Sequence, residues 1–178
     1  MRVFLKPIEL KDSQLIVKWR NSPSVRDHCF DKNEITEESN KRFFDAYIKT
    51  GKYKQYIVYR IDDDYGVISY PIASIYLKDM DAYNQRCELC IFTSDDEEWN
   101  TESQRKAILL MLDIAFNKES MRKVYSYVFQ KNSDEVALLE NSGFKKEALL
   151  EKEAVGLDGE LLSVYRMAAF KEDYHGEN

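Results

Sequence analysis

The sequence predicts an α+β or α/β domain built on a mixed β-sheet. Segments that alternate apolar and polar residues, or that collect β-branched and aromatic residues, are typical of strands and recur along the chain. Segments with apolar residues at helical spacing lie between them. The clearest case is residues 87–116, where an apolar run passes through an acidic break into a helix that carries Ile108, Met111, Leu112 and Ala115 on one stripe.

The first half of the chain predicts one strand, then helices, then two more strands. Pro7 fits the end of the first strand or a sheet edge, because proline cannot donate to a strand ladder. Thr36 begins a pattern typical of a capped helix start, and Pro71 fits a bend or bulge in the third strand. The strands are predicted at residues 2–8, 56–61 and 67–77, the helices at 12–20, 25–28 and 36–51, and a turn at 62–66.

The second half predicts four strands and two helices. Thr101 or Ser103 is expected to cap the longer helix, since hydroxyl side chains accept hydrogen bonds from the first backbone N–H groups. Gly143 is placed to end the last helix. The strands are predicted at residues 87–93, 124–129, 144–150 and 160–170, and the helices at 101–116 and 133–141.

Length, composition and charge restrict the functional class. The chain has 178 residues, which favours a single domain over residues 1–172 followed by a polar tail at 173–178. The formal net charge of −6 argues against a nucleic-acid partner, whose binding surface would be basic. A homodimer is left open.

The three cysteines, Cys29, Cys87 and Cys90, indicate a reducing compartment. Side chains three residues apart on a strand point to opposite faces, so Cys87 and Cys90 are expected to be core thiols, with no disulfide and no metal. The sequence contains no signal peptide and no apolar run long enough to cross a membrane, which predicts a cytoplasmic protein with no membrane partner.

The stretch 87–116 resembles the core of GNAT-type N-acetyltransferases, in particular the ribosomal-protein and amino-sugar branches. These proteins have a strand, the motif Trp-Gly-Lys-Gly-Ile-Gly-Thr-Glu-Ala, and a helix that ends near Asp-Tyr-Ala-Phe. Five residues match that spacing without a gap: Trp99, Ala107, Asp113, Ala115 and Phe116. The resemblance implies a mixed, mostly antiparallel sheet flanked by helices, with splayed central parallel strands that admit the cofactor.

The resemblance also implies acetyl-coenzyme A as co-substrate and direct attack of an amine on its thioester. The implied coenzyme-binding residues lie at the end of the central strand, at the start of the long helix and before the last helix. They are Ile91, Phe92, Thr93, Trp99, Asn100, Thr101, Glu102, Ser103, Gln104, Arg105 and Asn132.

The glycines of the family motif are absent here. Their positions are taken by Asn100, Glu102 and Gln104, although in the family these glycines let the backbone close on the coenzyme's pyrophosphate. Arg105 and Lys106 could offset the charge of Glu102. Three interpretations follow: weaker or rearranged coenzyme binding, another acyl donor, or a non-catalytic binding module.

A second match covers residues 132–144. Asn132 and Gly143 agree with the family pattern, in which the asparagine contacts the pantetheine arm of coenzyme A; the alternative for Asn132 is a helix cap. The family's tyrosine, which donates a proton to the departing thiolate, falls on Leu139. Tyr125 and Tyr127 are candidate substitutes, and the alternative is that both serve only the strand.

Glu88 is the candidate catalytic base. Relatives carry a glutamate on this strand, and an acidic side chain in an apolar strand is costly unless it is paired or functional. The alternatives are an ion pair with Arg86 and a solvated strand start.

The acceptor is predicted to lie against the first helices. The run Trp19-Arg20-Asn21, followed by Val25-Arg26, resembles a pattern of amino-sugar acetyltransferases, in which this region forms a wall of the acceptor pocket. Trp19 is predicted to stack on a sugar, or else to be core. The other predicted acceptor residues are Asn21, Arg26, His28 and Asn84.

The sequence therefore predicts an acetyl-coenzyme-A-dependent N-acetyltransferase acting on the primary amine of a small metabolite such as an amino sugar. The alternatives are a protein N-terminal or ribosomal-protein acetyltransferase and a non-catalytic GNAT-like binding module.

Overall fold

The structure, a computed structural model, describes residues 2–62, 68–92 and 94–176. Within these residues seven strands form one sheet in the order β1-β2-β3-β4-β5-β7-β6. The strands are β1 (Arg2–Pro7), β2 (Lys54–Asp62), β3 (Ile68–Asp81), β4 (Arg86–Phe92), β5 (Lys123–Phe129), β6 (Lys145–Val155) and β7 (Leu161–Phe170). Only β4 and β5 pair in parallel in this part of the chain. The predicted α+β fold with a mostly antiparallel sheet is confirmed.

Helices cover both faces of the sheet. They are α1 (Ser13–Asn21), α2 (Pro23–His28), α3 (Glu37–Phe43), α4 (Thr101–Asp113) and α5 (Ser133–Asn141). A π-helical turn extends α3 over Phe44–Ile48, and another extends α4 over Ile114–Lys118. The described residues include no helix that is long and apolar enough to span a membrane.

Strand alternation divides the core in two. One face of the sheet carries residues such as Val58, Cys87 and Leu89 and is covered by α4 and α5. The opposite face carries Ile57, which packs against α1 in a smaller cluster with Ile16. Glu88 alternates with Cys87 and Leu89 along β4, so it points to the α1 side of the sheet.

Local signals in the sequence place several boundaries correctly. Pro7 ends an edge strand, and the register between β2 and β3 shifts opposite Pro71, as expected for a bulge. The Thr36 hydroxyl accepts a hydrogen bond from the backbone N–H of Ser39 at 3.1 Å. Gly143, with φ of 94°, follows α5 in the left-handed conformation that favours glycine.

Three segments differ from the prediction. β6 continues to Val155, whereas the strand was predicted to end at residue 150. β3 continues to Asp81, where a polar connection was expected from residue 78, because Lys78 pairs in register with Glu88. In the polar tail, Tyr174 packs against Phe116 with ring centroids 5.3 Å apart. Of the predicted turn at 62–66, all but Asp62 lies outside the described residues.

Candidate active site

The sheet opens between its two central strands. β4 and β5 pair over three residue positions only, which end at Glu88 opposite Tyr125. Beyond these residues both strands continue without pairing to each other. The β5-facing backbone of β4 after Glu88 is therefore free to donate hydrogen bonds to a bound molecule.

Glu88 lies at the start of this opening and is buried, with 6% of its surface exposed. Its Oε1 lies 3.2 Å from Nζ of Lys78 on β3 and accepts a hydrogen bond from Sγ of Cys90, also at 3.2 Å. Among the described residues no hydrogen bond or ion pair involves Oε2. The predicted alternative partner, Arg86, instead contacts Oδ2 of Asp81 at 3.4 Å.

The surroundings of Glu88 suit a general base. Burial raises the pKa of Glu88 above its ordinary value, whereas Lys78 and the Cys90 hydrogen bond act in the opposite direction. Asp79 also raises the pKa. A carboxylate with a raised pKa and one unpartnered oxygen can accept a proton from an amine.

Aromatic and thiol groups surround this carboxylate. Tyr76 pairs in register with Cys90, and the rings of Tyr76 and Tyr53 stack with centroids 5.6 Å apart. Cys87 is buried in the core on the other face, and the structure gives Cys29, Cys87 and Cys90 as free cysteines.

Tyr125 is the better placed of the two tyrosines considered as proton donors. It pairs in register with Glu88, and burial raises its pKa to about 12, so it keeps its proton at neutral pH. The guanidinium of Arg166 lies 4.3 Å from its ring centroid. Tyr127 contacts Tyr125 edge-on with centroids 5.8 Å apart. Leu139, at the position of the family's tyrosine, is fully buried in the core.

The start of α4 is capped by Asn100, and the prediction that Thr101 or Ser103 supplies the cap is wrong. Oδ1 of Asn100 accepts hydrogen bonds from the backbone N–H groups of Glu102, at 3.1 Å, and Ser103, at 3.2 Å. The Ser103 hydroxyl donates to the carbonyl of Glu98 at 2.6 Å. Two of the N–H groups that could bind a pyrophosphate are thus already engaged.

The side chains that follow on α4 fold back on the protein. Glu102 pairs with Lys106 at 2.8 Å, and this pair lowers the pKa of the exposed Glu102 carboxyl. Gln104 donates from Nε2 to the Trp99 carbonyl at 2.8 Å. Arg105 donates to the carbonyl of Asn141 at 3.2 Å and does not pair with Glu102. Of Arg105 and Lys106, which were both predicted to offset the charge of Glu102, Lys106 is the one that pairs with it.

A cleft of about 220 Å³ lies between β4, α4, α5 and α2. The indole of Trp99 is 5% exposed, and its Nε1 has no hydrogen-bond partner among the described residues. The lining includes Ile91, Trp99, Gln104, Leu138, Glu135 and His28. Of the other predicted coenzyme residues, Phe92 ends β4, and Thr93 lies outside the described residues.

Asn132 and His28 flank this cleft. Asn132 occupies the residue before α5 but makes no side-chain cap, contrary to the alternative of a capping role; its Nδ2 lies 3.5 Å from Oε2 of Glu135. Burial raises the pKa of Glu135. Nδ1 of His28 lies 2.8 Å from the carbonyl of Ser24.

The tryptophan of the first helices is part of the core. Trp19 is 2% exposed and packs with Ile16 and Ile57, so it has no free ring face, and the predicted stacking on a sugar is incompatible with this position.

The polar residues of the same motif hold the loop at residues 29–36. The side chain of Asn21 donates to the Ile35 carbonyl and accepts from the Ile35 N–H, both at 2.8 Å. Arg26 donates to the carbonyl of Lys32 and to Oε1 of Glu34, both at 2.9 Å. The motif therefore shapes this loop, whatever part its side chains take in acceptor binding.

Asn84 lies in the exposed turn between β3 and β4. Its Nδ2 donates to Oδ2 of Asp81 at 2.7 Å. Its side chain is thus held by the turn itself.

Two cavities lie on the Glu88 face of the sheet. The Tyr125 cavity, of about 650 Å³, is lined among others by Tyr47, Tyr53, Asp79, Asp81, Arg86 and Tyr125. The Arg20 cavity, of about 450 Å³, is lined among others by Arg20, Asp31, Asn40, Tyr53, Gln55 and Tyr76. Tyr53 borders both cavities, and the Tyr76–Cys90 contact links the second one to Glu88.

Sequence reasoning missed Lys78, Tyr53, Tyr76 and Arg20. Lys78 and Tyr76 lie on β3 and meet β4 only through the sheet register. Tyr53 lies just before β2 and belongs to no motif that the sequence analysis recognised. Arg20 stands inside the quoted Trp-Arg-Asn run, so that motif was the one signal available for it.

Comparison with known proteins identifies the family. A model of the acetyltransferase (GNAT) domain matches residues 2–145. No curated protein shows significant similarity to the chain. Spermidine N-acetyltransferase from Vibrio cholerae, solved in complex with coenzyme A and spermine, superposes with a TM-score of 0.84 at 21% identity, covering 97% of each chain. A chimera of that enzyme with hSSAT gives a TM-score of 0.84 at 20% identity, covering 98% of each chain. At these identities the likeness establishes the fold.

Proposed function

Because this chain belongs to the GNAT family of acetyltransferases, we propose that it transfers an acetyl group to the primary amine of a small metabolite. The chain is an acetyl-coenzyme-A-dependent N-acetyltransferase. The main support for an amine substrate is the position of Glu88. It is a buried carboxylate at the opening of the sheet, and its Oε2 has no hydrogen-bond or ion-pair partner among the described residues.

Glu88 acts as the base in this proposal. Its Oε2 accepts the proton that the amine loses, while Lys78 and Cys90 hold Oε1 and orient the carboxylate. The unpaired β4 backbone after Glu88 donates hydrogen bonds to the oxyanion that develops. Tyr125 keeps its proton and is the candidate donor to the departing group.

The residues present fit acetyl-coenzyme A, which supplies the thioester that the amine attacks. The cleft lined by Ile91 and Trp99 offers apolar walls and one unpartnered indole N–H to a pantetheine arm. Asn132 is free of a capping role beside this cleft. The start of α4 fits a pyrophosphate once the side chain of Asn100 gives up the N–H groups of Glu102 and Ser103.

The acceptor enters on the face of the sheet that carries Glu88, where the two cavities lie. An amino sugar is the acceptor class that the sequence predicts, although the structure gives Trp19 no part in holding it. A polyamine is the second candidate. Asp79 lines the Tyr125 cavity and could pair with one ammonium group, whereas Asp81 already pairs with Arg86, and Lys52 adds a positive charge to the lining. The similar Vibrio cholerae enzyme was crystallised with spermine.

Calorimetry with acetyl-coenzyme A, followed by an acceptor panel, tests the proposal. Thiol release should require a small primary amine and should be measured with glucosamine, spermidine and a peptide with a free N-terminus. Turnover of the peptide alone would favour a protein N-terminal acetyltransferase. Absence of coenzyme binding at millimolar concentration would favour a non-catalytic binding module.

A further inference from the structure

Arg20 is a buried cation whose guanidinium is only partly used by the protein. Its residue surface is 8% exposed, and Nη2 donates to the backbone carbonyl of Asp31. Nη1 is buried and has no hydrogen-bond partner among the described residues. The residue lines the Arg20 cavity, so a molecule bound there lies next to Arg20.

No carboxylate in the described part of the chain forms an ion pair with Arg20. Asp31 is the acidic residue at the cavity, and its Oδ1 accepts hydrogen bonds from the Asn33 backbone N–H at 2.9 Å and from Asn33 Nδ2 at 2.8 Å. A second cation lies close by: burial lowers the pKa of Lys32, and Arg20 contributes in the same direction.

A buried charge without a counter-charge is costly, and an unpartnered guanidinium N–H adds to that cost. Binding of a carboxylate or phosphate group would remove both costs, because the arginine fork matches these planar or tetrahedral anions. A neutral hydroxyl would satisfy the N–H but leave the charge uncompensated. The cavity is therefore built for an anion.

The position of the cavity connects it to the reacting amine. Tyr76 forms part of its wall and pairs in register with Cys90, whose thiol donates to Glu88. Gln55 also lines the cavity, and its Nε2 donates a hydrogen bond to the Ser74 hydroxyl on the neighbouring strand at 2.9 Å. Glu88 lines neither cavity, so a molecule that joins the two sites would place its amine at Glu88 and pass Tyr76 to reach Arg20.

We propose that the Arg20 cavity binds an anionic group of the acceptor, so that the acceptor is a primary amine that also carries a carboxylate or a phosphate. This inference rests on the proposed function, since it assigns the acceptor class of the same site. It argues against simple polyamines as acceptors, because they carry no anionic group.

Matched acceptor pairs test the inference. Glucosamine 6-phosphate against glucosamine tests a phosphate, and 6-aminohexanoate against hexylamine tests a carboxylate. In the wild-type enzyme kcat/KM should be about 10- to 100-fold higher for the anionic member of at least one pair, as expected for hydrogen bonds to a charged group. Ratios near one in both pairs would overturn the inference.

Arg20→Gln should bring the favoured ratio to about one. Arg42→Gln is the matched control, because it removes an equal charge from an exposed residue of α3 that pairs with Glu38; it should leave the ratio unchanged. An Arg20→Gln enzyme that keeps the wild-type ratio would overturn the inference. If Arg20→Gln does not fold, the wild-type ratios decide.

A binding measurement separates this inference from the proposed function. Glucosamine 6-phosphate should raise the unfolding temperature of the wild-type protein more than glucosamine does, and Arg42→Gln should behave like wild type. This preference without turnover of any amine would support the anion site and refute the proposed function. Turnover of amines without any preference would support the function and refute the anion site.

Discussion

Replacing Asn100 with glycine is expected to tighten the binding of coenzyme A. In the free protein, Oδ1 of Asn100 accepts hydrogen bonds from the N–H groups of Glu102 and Ser103, at 3.1 and 3.2 Å. A pyrophosphate bound at the start of α4 would need the same N–H groups, so the side chain and the ligand compete. Glycine removes the competitor and restores the residue type that the family has at this position.

The magnitude follows from the strength of the cap. An asparagine cap is worth a few tenths of a kcal/mol relative to glycine and about 1 kcal/mol relative to alanine. If that free energy must be given up on binding, replacement by glycine lowers the Kd of coenzyme A by about 1.5- to twofold. The midpoint of thermal unfolding should fall by only about 1 °C, because the freed N–H groups are solvated by water.

Isothermal titration calorimetry on wild type, Asn100→Gly and Asn100→Asp measures the effect. Asn100→Asp keeps the cap and adds a negative charge, so coenzyme A should bind about two- to fivefold more weakly. Pantetheine, which lacks the pyrophosphate, should bind all three proteins equally. Weaker binding of coenzyme A by the folded Asn100→Gly protein would refute the reasoning, because it would make Asn100 a ligand and not a competitor.

Three further variants test the site. Glu88→Gln should lower kcat by about 10²-fold, with the Kd of acetyl-coenzyme A unchanged, and full turnover would exclude Glu88 as the base. Lys78→Met should move the acidic limb of the kcat/KM–pH profile to higher pH, because Lys78 lowers the pKa of Glu88; Lys78→Arg should restore it, and an unmoved limb would contradict the pairing. Asn21→Ala removes two hydrogen bonds to Ile35 and should cost about 1–3 kcal/mol of stability, seen by calorimetry as a lower unfolding temperature. It should also raise the acceptor KM with donor affinity unchanged, whereas an equal loss for both ligands would remove the loop from the acceptor wall.

Strands, bulges and helix ends that depend on residues close together in the sequence could be predicted. Periodicity identified the seven strands, since an apolar face must be buried whichever strand lies next to it. Pro71 and Gly143 marked a bulge and a helix end because their backbone geometry restricts them to such places. The cap of α4 was misplaced by one or three residues, because Asn100, Thr101 and Ser103 all satisfy the same rule.

The candidate site could be predicted in part. Glu88 stood out because a carboxylate in an apolar strand needs a partner or a function. The structure shows that Glu88 is buried, as this reasoning assumes. The Trp-Arg-Asn motif predicted that Trp19 contacts the acceptor. Trp19 is core, whereas Arg20 reaches the cavity, because α1 turns them toward different surroundings.

The order of strands and helices, the family resemblance and the chemical groups present can be read from the sequence alone. These follow from neighbours in the chain, whose spacing is set by helix and strand geometry. Tertiary structure decided which groups meet. Glu88 pairs with Lys78 and not with Arg86 because the register of β3 against β4 sets Lys78 directly opposite and gives Arg86 to Asp81. Arg20 keeps an unpartnered N–H among the described residues because the loop contacts it through the Asp31 carbonyl, while the Asp31 and Glu34 carboxylates bind Asn33 and Arg26. Strand pairing and loop packing join residues far apart in sequence, and no local pattern records which of them will be in contact.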